Sequence, residues 1–481
     1  MKPPNAVVSA GKEWREECGV FAAIGVPHAA EVVCLGLHAL QHRGQESAGI
    51  VSADERGAFH IHKGLGLVSE VFNNNAISKL PGSMAIGHNR YSTAGSVTRE
   101  NTQPLTVVYR GGPLALAHNG NLVNAHDLRR SLESSGSIFQ TTLDTEIFLH
   151  LMALASNEQS EEALVEAVQQ VRGAFSLIVL TRDAVYGLRD AHGFRPLVLG
   201  RLGDGYVLAS ETCALDLVAA EYVRDIEAGE LVRIDHQGLR SRRALEAAVP
   251  LRQCIFEHIY FSRPDSRVFG VTVDRIRRAI GKRLAIEHPA EADLVLSVPD
   301  SSNSIALGYS EATGIPFELG LIRNHYVGRT FIQPQQSGRD SSVRVKFNPV
   351  REILVGKRVV LVDDSIVRGT TSRKLVRMLK RNGATEVHFR VGSPPVTHPC
   401  FYGIDTPSRR ELIGALKTPA EICEYLGADS LGYLSLEGLL ATERDGTQYC
   451  HACFSGEYPV PVDPAAGKLA IEQLHRSTQP S

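Results

Sequence analysis

Two kinds of apolar patterning divide the chain. In the C-terminal half, apolar residues collect in short runs at Asp293 to Pro299, Ile315 to Leu321, Val359 to Val362 and Thr385 to Pro395. Such runs, rich in Val, Leu and Ile and bounded by turn residues, predict strands buried on both faces of a parallel sheet. Helical patterns lie between them, at Val271 to Ala285 and from Ser372 to a stop at Gly383, so the order is strand, turn, helix. The N-terminal half differs. Strands are predicted at Cys18 to Gly25, Gly173 to Leu180 and Tyr206 to Glu211, around an amphipathic helix at Leu35 to Arg43. Many strands with few intervening helices predict stacked antiparallel sheets flanked by helices. Regular strands fade in the Arg-rich stretch from Arg240 to Arg252. We place the domains at residues 18–240 and 241–460, with a polar leader over 1–17 and a tail over 461–481 without readable chemistry.

Composition agrees with two cores. A chain of 481 residues is too long for one, and 43% hydrophobic with 22% charged residues is that of a globular enzyme. A net charge of −2 offers no basic field for nucleic acid. No apolar run approaches the roughly 18 residues of a membrane span, and the leader lacks a signal-peptide core. A cytoplasmic location without membrane partners is therefore expected. In that compartment the eight cysteines are metal ligands, nucleophiles or buried thiols rather than disulfides.

The densest chemistry lies in VVLVDDSIVRGTTS, Val359 to Ser372. Asp363 and Asp364 end a buried run, at the strand end where open α/β sheets bind ligands. Two adjacent carboxylates repel each other unless they hold a cation or a diol. Arg368, Gly369, Thr370, Thr371 and Ser372 follow at a helix start. There a glycine permits close backbone approach, while hydroxyls and free N–H groups form a phosphate cradle. This stretch resembles the phosphoribosyltransferase signature. The resemblance implies a type I parallel α/β fold binding 5-phosphoribosyl-1-pyrophosphate (PRPP), with the acids on the ribose hydroxyls and the Thr-rich loop on the 5′-phosphate. It also implies one Mg²⁺ per subunit, held by Asp363, Asp364 and Ser301 of the PDSS turn. The long polar segment Asn324 to Asn348 matches that family's lid, with Arg329 and Lys346 reaching the pyrophosphate.

In the first domain, five separated motifs stand together: Cys18-Gly-Val-Phe, QHRGQESAGI, GHNRYSTAGS (Gly87 to Ser96), LALAHNGNL (Leu114 to Leu122) and LDTE (Leu143 to Glu146). They resemble the class II glutamine amidotransferases, N-terminal-nucleophile (Ntn) hydrolases with an αββα sandwich. Carried over, Cys18 is the nucleophile, and Asn119 and Gly120 form the oxyanion hole. Arg90 holds the glutamine carboxylate and Asp144 its α-amino group. The residue types suit amide hydrolysis: a thiolate attacks, and each preorganised donor to the oxyanion is worth about 3–4 kcal/mol. The base in this family is the cysteine's own α-amine, which titrates near ~7.7–8.0. An amide nitrogen lacks that basicity, so residues 1–17 are inferred to be a propeptide cleaved at Glu17–Cys18.

Cys34, Cys213 and Cys423 sit in helical or apolar contexts and read as core thiols. Cys254, Cys400, Cys450 and Cys453 have polar or turn surroundings, and four thiolates suit either zinc or an iron–sulfur cluster. From Cys18 to about Tyr458 the chain is similar to the glutamine–PRPP amidotransferases. One branch of that family carries one 4Fe–4S cluster per subunit on cysteines at matching places. The resemblance implies that glutamine, PRPP and water become 5-phosphoribosylamine, pyrophosphate and glutamate, opening purine synthesis. It further implies a homotetramer and purine nucleotides as feedback inhibitors. A different acceptor, or a ligand-sensing regulator without catalysis, are the competing readings.

Overall fold

A computed structural model describes residues 18–91, 98–324, 346–406 and 408–462. The first domain is built on two antiparallel sheets. Seven strands run in the order Glu221–Asp225, Val198–Leu202, Gly205–Ala209, Gly19–Ile24, Met84–Arg90, Ser47–Ala53 and Phe59–Leu65. Six run in the order Gly238–Arg243, Glu230–Asp235, Ala184–Arg189, Gly173–Leu180, Gly112–Leu122 and Leu105–Tyr109.

Strand period explains the layering. On Gly19–Ile24, Val20, Ala22 and Ile24 face Ala115, Ala117 and Ile178 of the other sheet. Phe21 and Ala23 point the opposite way, against Val33 and Leu37 of helix Ala29–Ala39. On the far side, Leu116, Phe175 and Leu177 meet Ile147 and Phe148 of helix Thr145–Leu154. Because successive side chains alternate faces, the central strands are apolar on both, and the stack is helix, sheet, sheet, helix. This is the αββα sandwich.

The second domain holds a parallel sheet in the order Leu294–Ser297, Arg358–Asp363, Glu386–Val391 and Ser430–Tyr433. Val360 and Val362 face helices Val273–Glu287 and Asn303–Thr313. Val359 and Leu361 face Leu375, Val376 and Leu379 of helix Thr370–Arg381.

Three elements depart from the sequence pattern. The run Ile315 to Leu321 joins the parallel sheet only through a bridge, Val295 with Phe317, since Pro316 has no N–H to donate, and its last residue opens the separate strand Leu321–Arg323. The first helix spans Ala29–Ala39 rather than Leu35 to Arg43. The Arg-rich stretch begins as an edge strand, Gly238–Arg243, in which Arg240 bonds Asp235 and Arg242 bonds Glu162. Charges on an edge strand mask its period and guard against pairing with another chain.

Candidate active sites

The sandwich brings the proposed glutaminase residues to one end. Cys18 immediately precedes strand Gly19–Ile24, is buried, and donates its thiol to Tyr91 O at 3.5 Å. Gly19 pairs with Asn89, and the same strand ends at the buried Arg90, which pairs with Ser47. Across the sandwich, Asn119 and Gly120 lie on Gly112–Leu122, and His118 O contacts His88 Nε2 at 3.1 Å. Among the described residues, the Asn119 amide nitrogen is buried without an acceptor. Gly120 has φ 147°, and a Cβ there would meet Ala174 O at 2.0 Å, so only glycine fits.

Asp144, just before helix Thr145–Leu154, accepts from Leu122 N–H at 2.9 Å, tying it to that strand. Burial pushes its carboxyl up. The His118 imidazole, 3.7 Å away, and backbone donors from Leu122 and Thr145 outweigh burial and hold it below the usual range. A buried, ionised carboxylate is suited to an ammonium partner.

At the second site, Asp363 ends strand Arg358–Asp363 and Asp364 follows, both buried. Asp364 N–H donates to Asp363 Oδ1 at 3.0 Å, and Ser301 Oγ donates to Asp364 Oδ2 at 2.6 Å. Ser302, which the sequence did not single out, reaches Asp363 Oδ1 at 3.3 Å and Asp364 Oδ2 at 3.5 Å. Burial pushes the Asp364 carboxyl up, against the pull of Ser301, Ser365 and the Arg277 guanidinium. Two stacked acids with one disfavoured charge make a site that a cation would relieve.

Gly369, at φ 71°, turns the chain into helix Thr370–Arg381, where a Cβ would stand 2.9 Å from Ile413 Cδ1. Thr370 is exposed at the helix start, Thr371 half-buried and Ser372 buried. Arg368 is held by Glu411 at 2.9 Å. Strands Leu321–Arg323 and Phe347–Pro349 pair antiparallel, and Asn324 N–H donates to Lys346 O at 2.8 Å. Arg329 lies outside the described residues, as does the leader 1–17.

The four cysteines that the sequence set apart converge. Cys254 and Cys450 pair across two short parallel strands. With Cys400 and Cys453 they line one small pocket, walled by Phe194, Tyr402 and Ile404. All four are buried and unbridged. Tyr402 N–H donates to Cys400 Sγ at 3.3 Å. Burial pushes the Cys450 thiol up to about 12 and the Cys453 thiol well up, a cost that a bound positive centre would offset. Among the described residues, no three His, Cys, Asp or Glu side chains close on a single metal ion.

Similarity to known proteins covers both sites at once. A glutamine amidotransferase domain family matches residues 88–217. The chain is 52% identical over 457 residues to the chloroplastic amidophosphoribosyltransferase of Vigna aconitifolia, covering 95% of this chain and 94% of that one. It is 50% identical over 459 residues to the amidophosphoribosyltransferase of Bacillus subtilis, covering 94% and 96%. A solved structure described as the allosteric regulatory enzyme of purine biosynthesis superposes with a TM-score of 0.90 at 48% identity, covering 95% and 99%. A glutamine PRPP amidotransferase from B. subtilis complexed with ADP and GMP gives 0.88 at 49% identity, covering 93% and 98%.

The chain belongs to the amidophosphoribosyltransferase family. It is a glutamine amidotransferase and pentosyltransferase of the first step of purine biosynthesis, with an Ntn hydrolase domain and a phosphoribosyltransferase domain. No helix among the described residues is long and apolar enough to cross a membrane.

Within this amidophosphoribosyltransferase fold, several buried polar residues escaped the sequence reading. Arg43, Arg195, Glu211 and Glu257 form a cluster with fully buried side chains at the domain junction. Arg277 bonds His258 O and Ser262 O, both at 2.8 Å, and burial pushes its guanidinium down to about 10. The available signal was a charge inside an apolar run, as in Cys254-Ile-Phe-Glu257-His-Ile-Tyr-Phe. Buried charges are rare unless paired.

Proposed function

We propose that Cys18 attacks the side-chain amide of glutamine, and that the freed ammonia is used at the PRPP site of the same chain. Asn119 Nδ2 and Gly120 N–H would receive the oxyanion, Arg90 the substrate carboxylate and Asp144 its ammonium. Asp363 and Asp364 would hold the ribose hydroxyls of PRPP. Arg368, Gly369, Thr370, Thr371 and Ser372 would hold its 5′-phosphate, and Arg329 and Lys346 its pyrophosphate. The observation carrying this reading is the buried acid pair under the Ser301 and Ser302 hydroxyls, in one chain with a complete glutaminase set. Ammonia is protonated in bulk water, so transfer requires a dry route between the two sites.

The acid pair with Ser301 fits Mg²⁺, which when bound would neutralise pyrophosphate charge. The Cys254, Cys400, Cys450 and Cys453 pocket would hold one 4Fe–4S cluster: four buried thiols line it, and among the described residues no three of them stand close enough for a single ion, which supports a cluster over zinc. We further assign residues 1–17 as a propeptide, purine nucleotides as feedback inhibitors, a homotetrameric assembly and a cytoplasmic location. The ADP and GMP bound to the B. subtilis relative support the nucleotide assignment.

Cys18→Ser, assayed with each nitrogen donor, tests the central reading. Glutamine-dependent synthesis should vanish, while synthesis from concentrated ammonium at alkaline pH remains, because the half-reactions use residues on separate domains. Loss of ammonia-dependent turnover in folded protein would refute that division. Glutamate release that ignores PRPP and yields no pyrophosphate would favour a plain glutaminase.

A further inference from the structure

One carboxylate of the second domain reaches both halves of the glutaminase site, hydrogen-bonded to Arg43 and ion-paired with Arg195. Glu257 is fully buried, and it accepts from Arg43 through both terminal nitrogens, Nη1 to Oε2 at 2.9 Å and Nη2 to Oε1 at 2.8 Å. The remaining Arg43 donor, Nε, goes to the carbonyl oxygen of Cys18 at 3.2 Å. Glu257 Oε1 also stands 3.6 Å from Arg195 Nη1. Arg195 spends its other donors on Tyr402 O, from Nη2 at 2.6 Å and Nε at 3.2 Å. Tyr402 precedes Gly403, whose backbone lies against Gly120. Ser262 Oγ donates to Glu257 Oε2 at 2.6 Å, and Glu211 takes the second contact of Arg43 at 2.6 Å, so two arginines face two glutamates.

We infer that Glu257 is a positioning residue for glutamine hydrolysis, acting through Arg43 on Cys18 and through Arg195 on the backbone behind Gly120. The inference rests on the reading of Cys18 and Gly120 given above. Strand pairing begins at Gly19, so the Cys18 carbonyl lies at the very start of the sheet, beside a thiol that bonds Tyr91 O at 3.5 Å. The Arg43 bond to that carbonyl fixes the last peptide plane, and with it the direction of the thiol and α-amine. A guanidinium held as a fork by one carboxylate cannot swing, so the restraint is stiff. Misplacement of a reacting group by about 1 Å costs on the order of a hundredfold in rate. None of these bonds touches Asp363, Asp364 or the helix start that follows them.

The test is Glu257→Gln in the full chain, which keeps shape and the acceptor for Ser262 but removes the charge. Glutamine-dependent kcat should fall about tenfold to a hundredfold. KM for glutamine should stay near the parental value, and so should ammonia-dependent synthesis. A residue serving only domain stability would lower both activities together. Removing one buried charge leaves an arginine uncompensated, so the double variant E257Q/R195M, in which Arg43 and Glu211 remain balanced, is measured alongside and read by the same criterion. Cys18→Ser is the control. If it retains glutamine turnover, the reading of Cys18 falls and the inference with it. If it is dead while Glu257→Gln and the double variant keep parental kcat, or lose ammonia-dependent synthesis in equal measure, the positioning role alone is overturned.

Discussion

Gly403 of the phosphoribosyltransferase domain rests on Gly120 of the glutaminase domain. A Cβ built on Gly403 would stand 3.1 Å from the Gly120 carbonyl carbon and 3.1 Å from Arg195 Nη2. Gly403 also has φ +113°, where a side chain is strained, and it lies three residues after Cys400. The loop lining the cysteine pocket is therefore the backing of the proposed oxyanion strand. Nearby, Asn121 Nδ2 donates to Phe401 O at 2.9 Å and binds the same two segments.

Gly403→Ala should push on Gly120 and leave the PRPP residues alone. We expect glutamine-dependent kcat to fall by about tenfold or more, on the scale of losing most of one oxyanion donor. Ammonia-dependent synthesis should change less than about twofold. The ratio of the two rates is the measurement, and an unchanged ratio would remove Gly120 from the oxyanion hole.

Asp363→Asn with Asp364→Asn should show the opposite asymmetry. Product formation from either nitrogen donor should be lost, since the acid pair at the strand end no longer holds the ribose or a cation. Slow glutamate release should survive because Cys18, Arg90, Asn119, Gly120 and Asp144 are untouched. Calorimetric titration with PRPP and Mg²⁺ checks the assignment, and parental affinity in the double variant would contradict it.

Cys450→Ser probes the four-cysteine pocket and the leader together. Ligands at Cys254, Cys400, Cys450 and Cys453 would join three distant parts of the chain and favour the folded state. A leader is cut correctly only where Cys18 already sits in its folded site. Anaerobically purified C450S should therefore lack brown 4Fe–4S absorbance and retain residues 1–17 by intact mass. Iron-free protein with a mature Cys18 terminus and full activity would separate folding from any cluster.

Glu211 makes stability depend on acid. Burial pushes its carboxyl up, but His42, Arg43 and Ser266 hold it far below the ordinary carboxylate range. The folded value being the lower, its contribution is fully present above about 4.3, the unfolded value. It is lost as pH falls toward the folded value, since the unfolded chain takes up the proton first. Glu211→Gln breaks a buried pair and should cost about 3–5 kcal/mol at neutral pH. Urea midpoints at pH 7 and at about pH 3 should show the gap to the parental protein narrowing with acid; a constant gap would mean that Glu211 is not ionised in the fold.

What the sequence determined by itself is local. The unbroken run Val359 to Val362 is a central parallel strand because its neighbours cover both faces, and Asp363 and Asp364 lie at its end because the apolar run stops there. Gly120 is a glycine because a Cβ would collide with Ala174 O, and Gly369 because its φ of +71° strains any side chain; their motifs carried that requirement openly. Edge strand Gly238–Arg243 and the bridge at Phe317 were obscured by charge and by Pro316, which hide period two. Tertiary structure alone decided what lies far apart in sequence. Arg43 meets Glu257 across 214 positions, Arg195 meets Tyr402 across 207, and four cysteines close on one pocket. Periodicity tells which face of an element is buried; it says nothing about which residue of a distant element will lie against it. That partner is set by how the sandwich and the parallel sheet dock, and a buried charge finds its counter-ion only in the docked fold.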